Sequence, residues 1–339
     1  MATSLAVKYR PKTWNELLGQ DIVKKILQQQ LATDNLRNAY LFCGPSGDGK
    51  TTTAYIFANA INGISGTAIE IDAASNNGVD NVREIIRDSQ ERSISGKYKI
   101  YILDEVHMFS NQAWNAMLKL IEEPPAYTIF IFCTTDPQKI PGTILNRVQR
   151  YNFKRISADN IKVRLKHICI EEGFTNFDES IDYISKIANG GMRDAIAYLD
   201  KVSGYSHDIS LKNTLEALGN YSYDDFFDIL NNLIDGNESN LLESLTKYYF
   251  AGNEFKIFVD QFFSFSLEVA KYAIFKSCDI LSIPRSYENQ LENVTNFENP
   301  NNYYNYLVNK LLDLKNICKN DSNIKATVEA MMLQIARCQ

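Results

Sequence analysis

Residues Gly44-Pro45-Ser46-Gly47-Asp48-Gly49-Lys50-Thr51 fit the pattern G-x-x-x-x-G-K-[ST], and no other stretch of the chain narrows the fold as much. The pattern needs a strand before it and a helix after it. Asn38 to Cys43 reads as that strand and Thr51 to Ala60 as that helix. The glycines let backbone N–H groups turn inward around phosphate oxygens, and the helix aims its positive end at the same anion. Lys50 is expected to reach the β- and γ-phosphates of a nucleotide, and the Thr51 hydroxyl to sit on Mg²⁺, with Thr52 beside it. A chance glycine turn would supply neither the Lys-Thr pair nor the preceding strand. Asp48 is unusual in such a loop because an acid repels phosphate, so its side chain is expected to point outward.

A phosphate site of this kind needs an acid at the end of a neighbouring strand. Lys99-Ile100-Tyr101-Ile102-Leu103-Asp104-Glu105 supplies two. Asp104 is expected to hold Mg²⁺, mostly through water, and Glu105 to act as general base on the attacking water. An apolar run ending in acids is weak evidence alone and strong evidence beside the phosphate loop.

Further short β-rich runs lie at Ile69 to Ile71, Tyr127 to Cys133 and Arg150 to Phe153. Helical patterns at Val79 to Glu91 and Gln112 to Glu122 separate them. Strands alternating with helices predict an α/β fold with a parallel sheet covered on both faces. After Ile156 the pattern turns helical, with Ser157-Ala158-Asp159 as an N-cap and Ile161, Leu165 and Ile168 at helical spacing. Ser222 to Ile234, Glu238 to Phe250, Asn253 to Phe275 and Asn301 to Cys318 read as amphipathic helices. The asparagine-rich stretch Ser286 to Asn302 reads as a long loop. These shifts predict three domains, at residues 1–156, 157–218 and 219–339.

Composition removes several classes. No long uncharged apolar run suits a membrane span, and Met1 to Arg10 lacks a signal-peptide core, so a cytoplasmic protein is expected. Cys43, Cys133, Cys169, Cys278, Cys318 and Cys338 form no C-x-x-C pair and read as reduced, mostly buried thiols. His107, His167 and His207 stand alone, which argues against a His-based metal site. The formal net charge is −6. It is uneven: 24 basic against 23 acidic residues through Gly204, and 11 against 18 after it. Contact with nucleic acid is therefore expected only in the first part, as a local stripe. The Phe and Tyr cluster of the last third (Phe226, Phe227, Tyr248, Tyr249, Phe250, Phe262, Phe263) reads as core or subunit interface.

Three further segments resemble the bacterial DNA polymerase III gamma/tau family. They are Glu70-Ile71-Asp72-Ala73-Ala74-Ser75-Asn76-Asn77-Gly78-Val79, Asp104-Glu105-Val106-His107-Met108, and Lys119-Leu120-Ile121-Glu122-Glu123-Pro124-Pro125. The opening Lys8-Tyr9-Arg10-Pro11 with Leu18-Gly19-Gln20 is similar to that family and to replication factor C. The resemblance is dense from about Leu5 to Asp200 and diffuse beyond. It implies an AAA+ P-loop NTPase with a parallel five-stranded sheet, a small helical lid and an all-α collar, acting as an ATPase in a sliding-clamp loader.

The resemblance also implies roles. Thr134 or Thr135 would sense the γ-phosphate or the attacking water. Arg147, in Leu145-Asn146-Arg147, would be a finger into the ATP of a neighbouring subunit. Arg193, in Gly190-Gly191-Met192-Arg193-Asp194, would touch the γ-phosphate as a second sensor. Tyr9, Arg10 and Pro11 would lie near the adenine. The partners implied are a ring clamp, primer-template DNA gripped by its phosphate backbone, and other loader subunits, in a ring of five. Three departures stand out. The family's four-cysteine zinc module is missing, with only Asn62 to Ala68 in its place, so ATP and Mg²⁺ but no zinc are expected. Asn146 and Val148 flank the finger where the family has Ser and Cys. The chain stops at Gln339 without a long tail, which suggests a minimal loader.

Arg83, Arg87 and Arg92 follow Gly78 at roughly helical spacing, and Ser110 opens the next helix; both are candidates for DNA phosphates. A solvated face paired with Glu84, Asp88 and Glu91 explains the arginines equally well. The end of that helix, toward Ile94, is the expected clamp-touching tip. Two other readings are a non-hydrolysing structural loader subunit, against which Lys50, Thr51, Asp104 and Glu105 argue, and another AAA+ DNA motor such as a branch-migration helicase.

Overall fold

The computed structural model describes residues 3–63, 68–93, 96–219, 221–250, 254–278, 280–319, 321 and 323–337. Ile94 and most of the stretch between Asn62 and Ala68 lie outside them, as does Cys338. The chain divides into two compact units, Met1–Glu172 with Ala188–Asp200, and Gly173–Ile187 with Lys201–Gln339.

The first unit is built on five strands: β1 (Ala39–Cys43), β2 (Ile69–Asp72), β3 (Lys99–Asp104), β4 (Thr128–Thr134) and β5 (Gln149–Asn152). Each lies within one residue or two of the run expected for it. The order is β2-β3-β4-β1-β5 and every pairing is parallel. All seven residues of β4 and all five of β1 are buried, which is why these strands read as continuous apolar runs. Their side chains alternate between two cores. Leu41, Leu103, Phe130 and Phe132 pack on one face with Trp114 and Met117. Tyr40, Phe42, Ile100, Ile102 and Ile131 pack on the other with Phe57 and Leu27. The helices that pack on the sheet are α2 (Asp21–Ala32), α3 (Lys50–Asn62), α4 (Val79–Ser89), α5 (Asn111–Glu122) and α6 (Gly142–Leu145), and the unit also holds α1 (Leu5–Lys8) and α7 (Ala158–Glu172). On α7, Ile161, Leu165 and Ile168 are all buried, as their spacing predicts.

Register sets the functional edge. Cys43 pairs with Thr134 and Asp72 with Asp104. The ends of β1, β3 and β4 therefore finish side by side, and the loops leaving them share one edge of the sheet. Ligands of open parallel sheets bind outside such carboxyl ends.

The second unit contains α8 (Asp178–Ile187), the end of α9 (Met192–Tyr205), α10 (Leu211–Leu218), α11 (Tyr223–Ile234), α12 (Glu238–Phe250), α13 (Phe255–Phe275), α14 (Glu288–Thr295), α15 (Pro300–Ile317) and α16 (Ile324–Arg337). Its core is aromatic. Phe226, Phe227, Phe258, Phe262 and Phe265 are buried, and the Phe258 and Phe262 rings stack at 5.4 Å one turn apart on α13. Phe263 is half-buried, while Tyr249 and Phe250 are exposed beneath Lys325. The expected long loop from Ser286 to Asn302 is a correction: α14 occupies its middle and α15 begins at Pro300. Leu291 and Val294, three residues apart, give that polar stretch one buried face. Its asparagines lie largely on the other side, where they masked the helical period. Pro300 sits at the first turn of α15, a position that needs no N–H.

Candidate nucleotide site

The phosphate loop runs from β1 into α3. Gly47 and Gly49 take φ of 74° and 94°, which L side chains avoid, and Gly49 is the N-cap of α3. Gly191 also passes close over Gly47: a Cβ there would lie 3.2 Å from the Gly191 Cα, a tight contact. The Gly47 carbonyl accepts the Met192 N–H at 3.0 Å, so the segment around Met192 and Arg193 is bonded directly to the glycine loop.

Lys50 is almost fully buried and its ammonium donates three hydrogen bonds, to the Gly44 carbonyl (2.8 Å), the Pro45 carbonyl (2.6 Å) and Asp48 Oδ1 (3.1 Å). This overturns the expectation for Asp48. Its side chain points inward, 1% exposed, rather than out to solvent. The lysine supplies the reason, since a buried carboxylate beside a buried ammonium neutralises a charge that neither could carry alone there. Burial pushes the Asp48 carboxyl above its ordinary pKa, against the pull of Lys50.

At the metal side, Thr51 Oγ1 donates to Asp104 Oδ2 at 2.7 Å across residues from α3 and β3. A hydroxyl and a carboxylate so placed form the hard oxygen pair that suits Mg²⁺. Glu105 follows in the left-handed region, φ 49°, uncommon for a side chain of its size. Its Oε2 accepts the Thr135 hydroxyl at 3.0 Å and lies 3.3 Å from His107 Nδ1. Thr134 is fully buried; its hydroxyl pairs with His107 Nδ1 at 3.2 Å and accepts the Asp136 N–H at 3.1 Å. Of the two threonines, Thr135 is thus the one in contact with the acid.

A cleft of about 700 Å³ opens beside the loop, lined by Ser46 to Thr52, Asp104 and Glu105. Tyr9, Arg10 and Pro11 line it too, with Leu17, Leu18, Ile156 and Ile196. Arg193 lines the same cleft and is exposed. The apolar members form a slot suited to a flat base, while the loop N–H groups and Lys50 suit its phosphates. Arg10 lies over the Tyr55 ring at 4.7 Å, and Tyr55 donates to Glu70. Burial, with the Glu70 carboxylate second, pushes the Tyr55 phenol up to about 12.

Arg147 does not line this cleft. It is exposed, with its guanidinium on Glu122 (2.8 Å) and on the Thr143 carbonyl (2.6 Å). Arg83 pairs with Asp80 at 2.9 Å, while Arg87 is exposed on α4. Asp88, one of the acids expected to pair with these arginines, is bonded to Lys99 and Tyr101. Arg92 lies over the Tyr127 ring at 5.6 Å. The Ser110 hydroxyl caps α5 by accepting the Ala113 N–H at 3.1 Å.

Some residues at the site escaped the sequence reading. Gln20 ties the Asp48 carbonyl (3.2 Å) to the Lys154 carbonyl (2.6 Å), bracing the phosphate loop against the chain leaving β5. Arg164 donates to the Tyr9 carbonyl at the wall of the cleft. Gln20 stood inside a noted motif, Leu18-Gly19-Gln20, whereas Arg164 sits in an ordinary helical pattern with nothing local to mark it. All five described free cysteines, Cys43, Cys133, Cys169, Cys278 and Cys318, are buried. No helix among the described residues is long and apolar enough to cross a membrane.

The chain is similar to several known proteins. A family model described as DNA polymerase III, delta subunit, matches residues 67–157. The DNA polymerase III subunit tau of Bacillus subtilis is 40% identical over 281 residues, covering 76% of this chain and 50% of that protein. The gamma/tau subunit of Mycoplasma genitalium is 32% identical over 324 residues, covering 89% and 53%. The chain therefore spans about half the length of these relatives. Among solved structures, the Holliday junction branch migration motor RuvB of Thermotoga maritima matches with a TM-score of 0.52 at 20% identity, over 67% of this chain and 80% of that one. A point variant of the same motor gives 0.53 at 19%. Likeness at that identity speaks for the fold alone, the arrangement of sheet and helices.

Proposed function

Since the chain belongs to the DNA polymerase III gamma/tau family, we propose that it is the ATP-hydrolysing motor subunit of a sliding-clamp loader, which opens a ring clamp and places it on primer-template DNA in the cytoplasm. One observation carries the hydrolytic part. Thr51 meets Asp104 at 2.7 Å and Thr135 holds the adjacent Glu105 at 3.0 Å, which supports a hydroxyl and carboxylate that would hold Mg²⁺ beside a general base.

The residues divide the work. The loop from Gly44 to Thr52 cradles the phosphates through its N–H groups, and Lys50 adds its positive charge. Tyr9, Arg10 and Pro11 hold the base end. Thr51 and Asp104 are the residues that would hold Mg²⁺, which when bound neutralises charge on the β- and γ-oxygens. Glu105 takes a proton from the attacking water, and Thr135 aims its carboxylate. Arg193 approaches the γ-phosphate from the segment bonded to Gly47. Arg147, outside the cleft of its own chain, reaches the triphosphate of an adjacent protomer and stabilises charge in the transition state. The exposed Arg87, with Arg83, Arg92 and the N-terminus of α5 at Ser110, follows DNA phosphates; other loader subunits complete a five-membered ring.

The deciding experiment measures ATP turnover with and without primed DNA and a sliding clamp. Stimulation by both together is expected. Turnover indifferent to them would sink the loader reading, and no turnover at all would leave a structural subunit. Strand-exchange activity in the absence of any clamp would instead support the rival reading, a branch-migration motor.

A further inference from the structure

Lys50 has three N–H donors and three internal acceptors, so a phosphate bound by Lys50 must displace at least one of them. Two of the acceptors are neutral carbonyls. The third, Asp48 Oδ1, is charged, and it also accepts the Lys50 backbone N–H at 3.4 Å. That amide belongs to the set that a phosphate loop turns on its ligand. Asp48 thus holds both the charge and an N–H group intended for phosphate.

The acid is built in. A Cβ on Gly44 would collide with Asp48 Oδ2 and sit 2.7 Å from the Phe153 carbonyl oxygen, so the bare first glycine of the loop makes room for the carboxylate. Asp48 Oδ2 is buried with no hydrogen-bond partner, and an orphaned buried oxygen costs stability. The carboxylate is therefore only half satisfied, and its one strong partner is the phosphate-binding lysine.

We propose that Asp48 is an internal competitor of nucleotide phosphate for Lys50, which weakens the loop's hold on ADP and speeds its release. The inference rests on the nucleotide-binding reading of the loop and concerns how tightly that loop binds, not whether it does. No residue outside the loop needs to move. The carboxylate and the phosphates share one ammonium, and whatever Asp48 retains of it is withheld from the ligand.

The test measures the dissociation constant and release rate of a fluorescent ADP analogue, with Mg²⁺, on the full chain and its Asp48→Asn and Asp48→Thr variants. Asp48→Asn keeps the shape and removes the charge. Asp48→Thr is smaller and neutral and serves if the amide disturbs the loop; thermal melting of both checks that they fold. Both variants are expected to bind ADP about tenfold more tightly, a coupling of about 1.4 kcal/mol, with the gain in slower release. Unchanged or weaker binding in folded variants would overturn the inference while the wild-type affinity upheld the reading beneath it. A wild-type chain that binds no nucleotide would overturn both.

Discussion

The two compact units spend their side chains differently. In the first, unusual polar residues concentrate at the carboxyl ends of parallel strands: Asp104 and Glu105 after β3, Thr134 and Thr135 at β4, and the glycine loop after β1. In the second, the distinctive residues are aromatic and turn inward, with the Phe226 ring 5.3 to 6.1 Å from those of Phe258, Phe262 and Phe265. A sheet edge presents chemistry because its backbone is already satisfied by the ladder, so the loops beyond it are free to aim polar groups. A helical bundle presents few such edges and uses its side chains to fill space. Motifs crowd the first unit for a geometric reason, and their scarcity in the second is what a packing role looks like in sequence.

The sharpest way to break this contrast is Glu105→Gln. It should lower ATP hydrolysis by roughly 10²–10⁴-fold, the contribution of a positioned general base, while a filter-binding assay shows nucleotide retained. Loss of binding instead would mean that the residue shapes the cleft. Phe262→Ala tests the other side. It should destabilise the second unit by about 3–5 kcal/mol in denaturant unfolding, with nucleotide affinity unaltered; equal damage to affinity would show that the two units are not energetically separable. Thr135→Val sharpens the account of the first unit. It removes one hydrogen bond to a charged group, about 1.5–3 kcal/mol, and should slow single-turnover hydrolysis about tenfold or more; the same loss from Thr134→Val alone would reverse the assignment of the two threonines. The smallest effect is expected from Arg87→Ala, which should weaken binding to primed DNA evenly across sequences and lower the salt slope by about 1. An unaltered slope in a salt titration would leave α4 as a solvated face.

Much of the first unit was legible because its signals are local. The β4 run from Tyr127 to Cys133 is apolar throughout because both faces of that strand are covered, and its boundaries were read to within one residue. The glycine loop declares itself because glycine alone takes φ values of 74° and 94° at no steric cost. Arg147 and Arg193 are candidates through motif order alone, with no physical signal in their own neighbourhoods to mark them. α14 was missed because its buried face has few residues and its asparagines look like loop. The inward turn of Asp48 is hidden from any reading that sets the acid against phosphate alone, because the lysine two residues on decides it.

By itself, then, the order of amino acids determined the parallel α/β core, the glycine loop between β1 and α3 and the acids that follow β3. These depend on backbone conformation and side-chain periodicity, which neighbouring residues dictate. Only the tertiary structure decided which threonine meets Glu105, that Gln20 braces the loop, and that Asp48 turns inward to Lys50. Each of those depends on burial, or on partners that the chain brings in from a distant segment. Burial decides whether a charge faces water or another charge, and no local pattern records it.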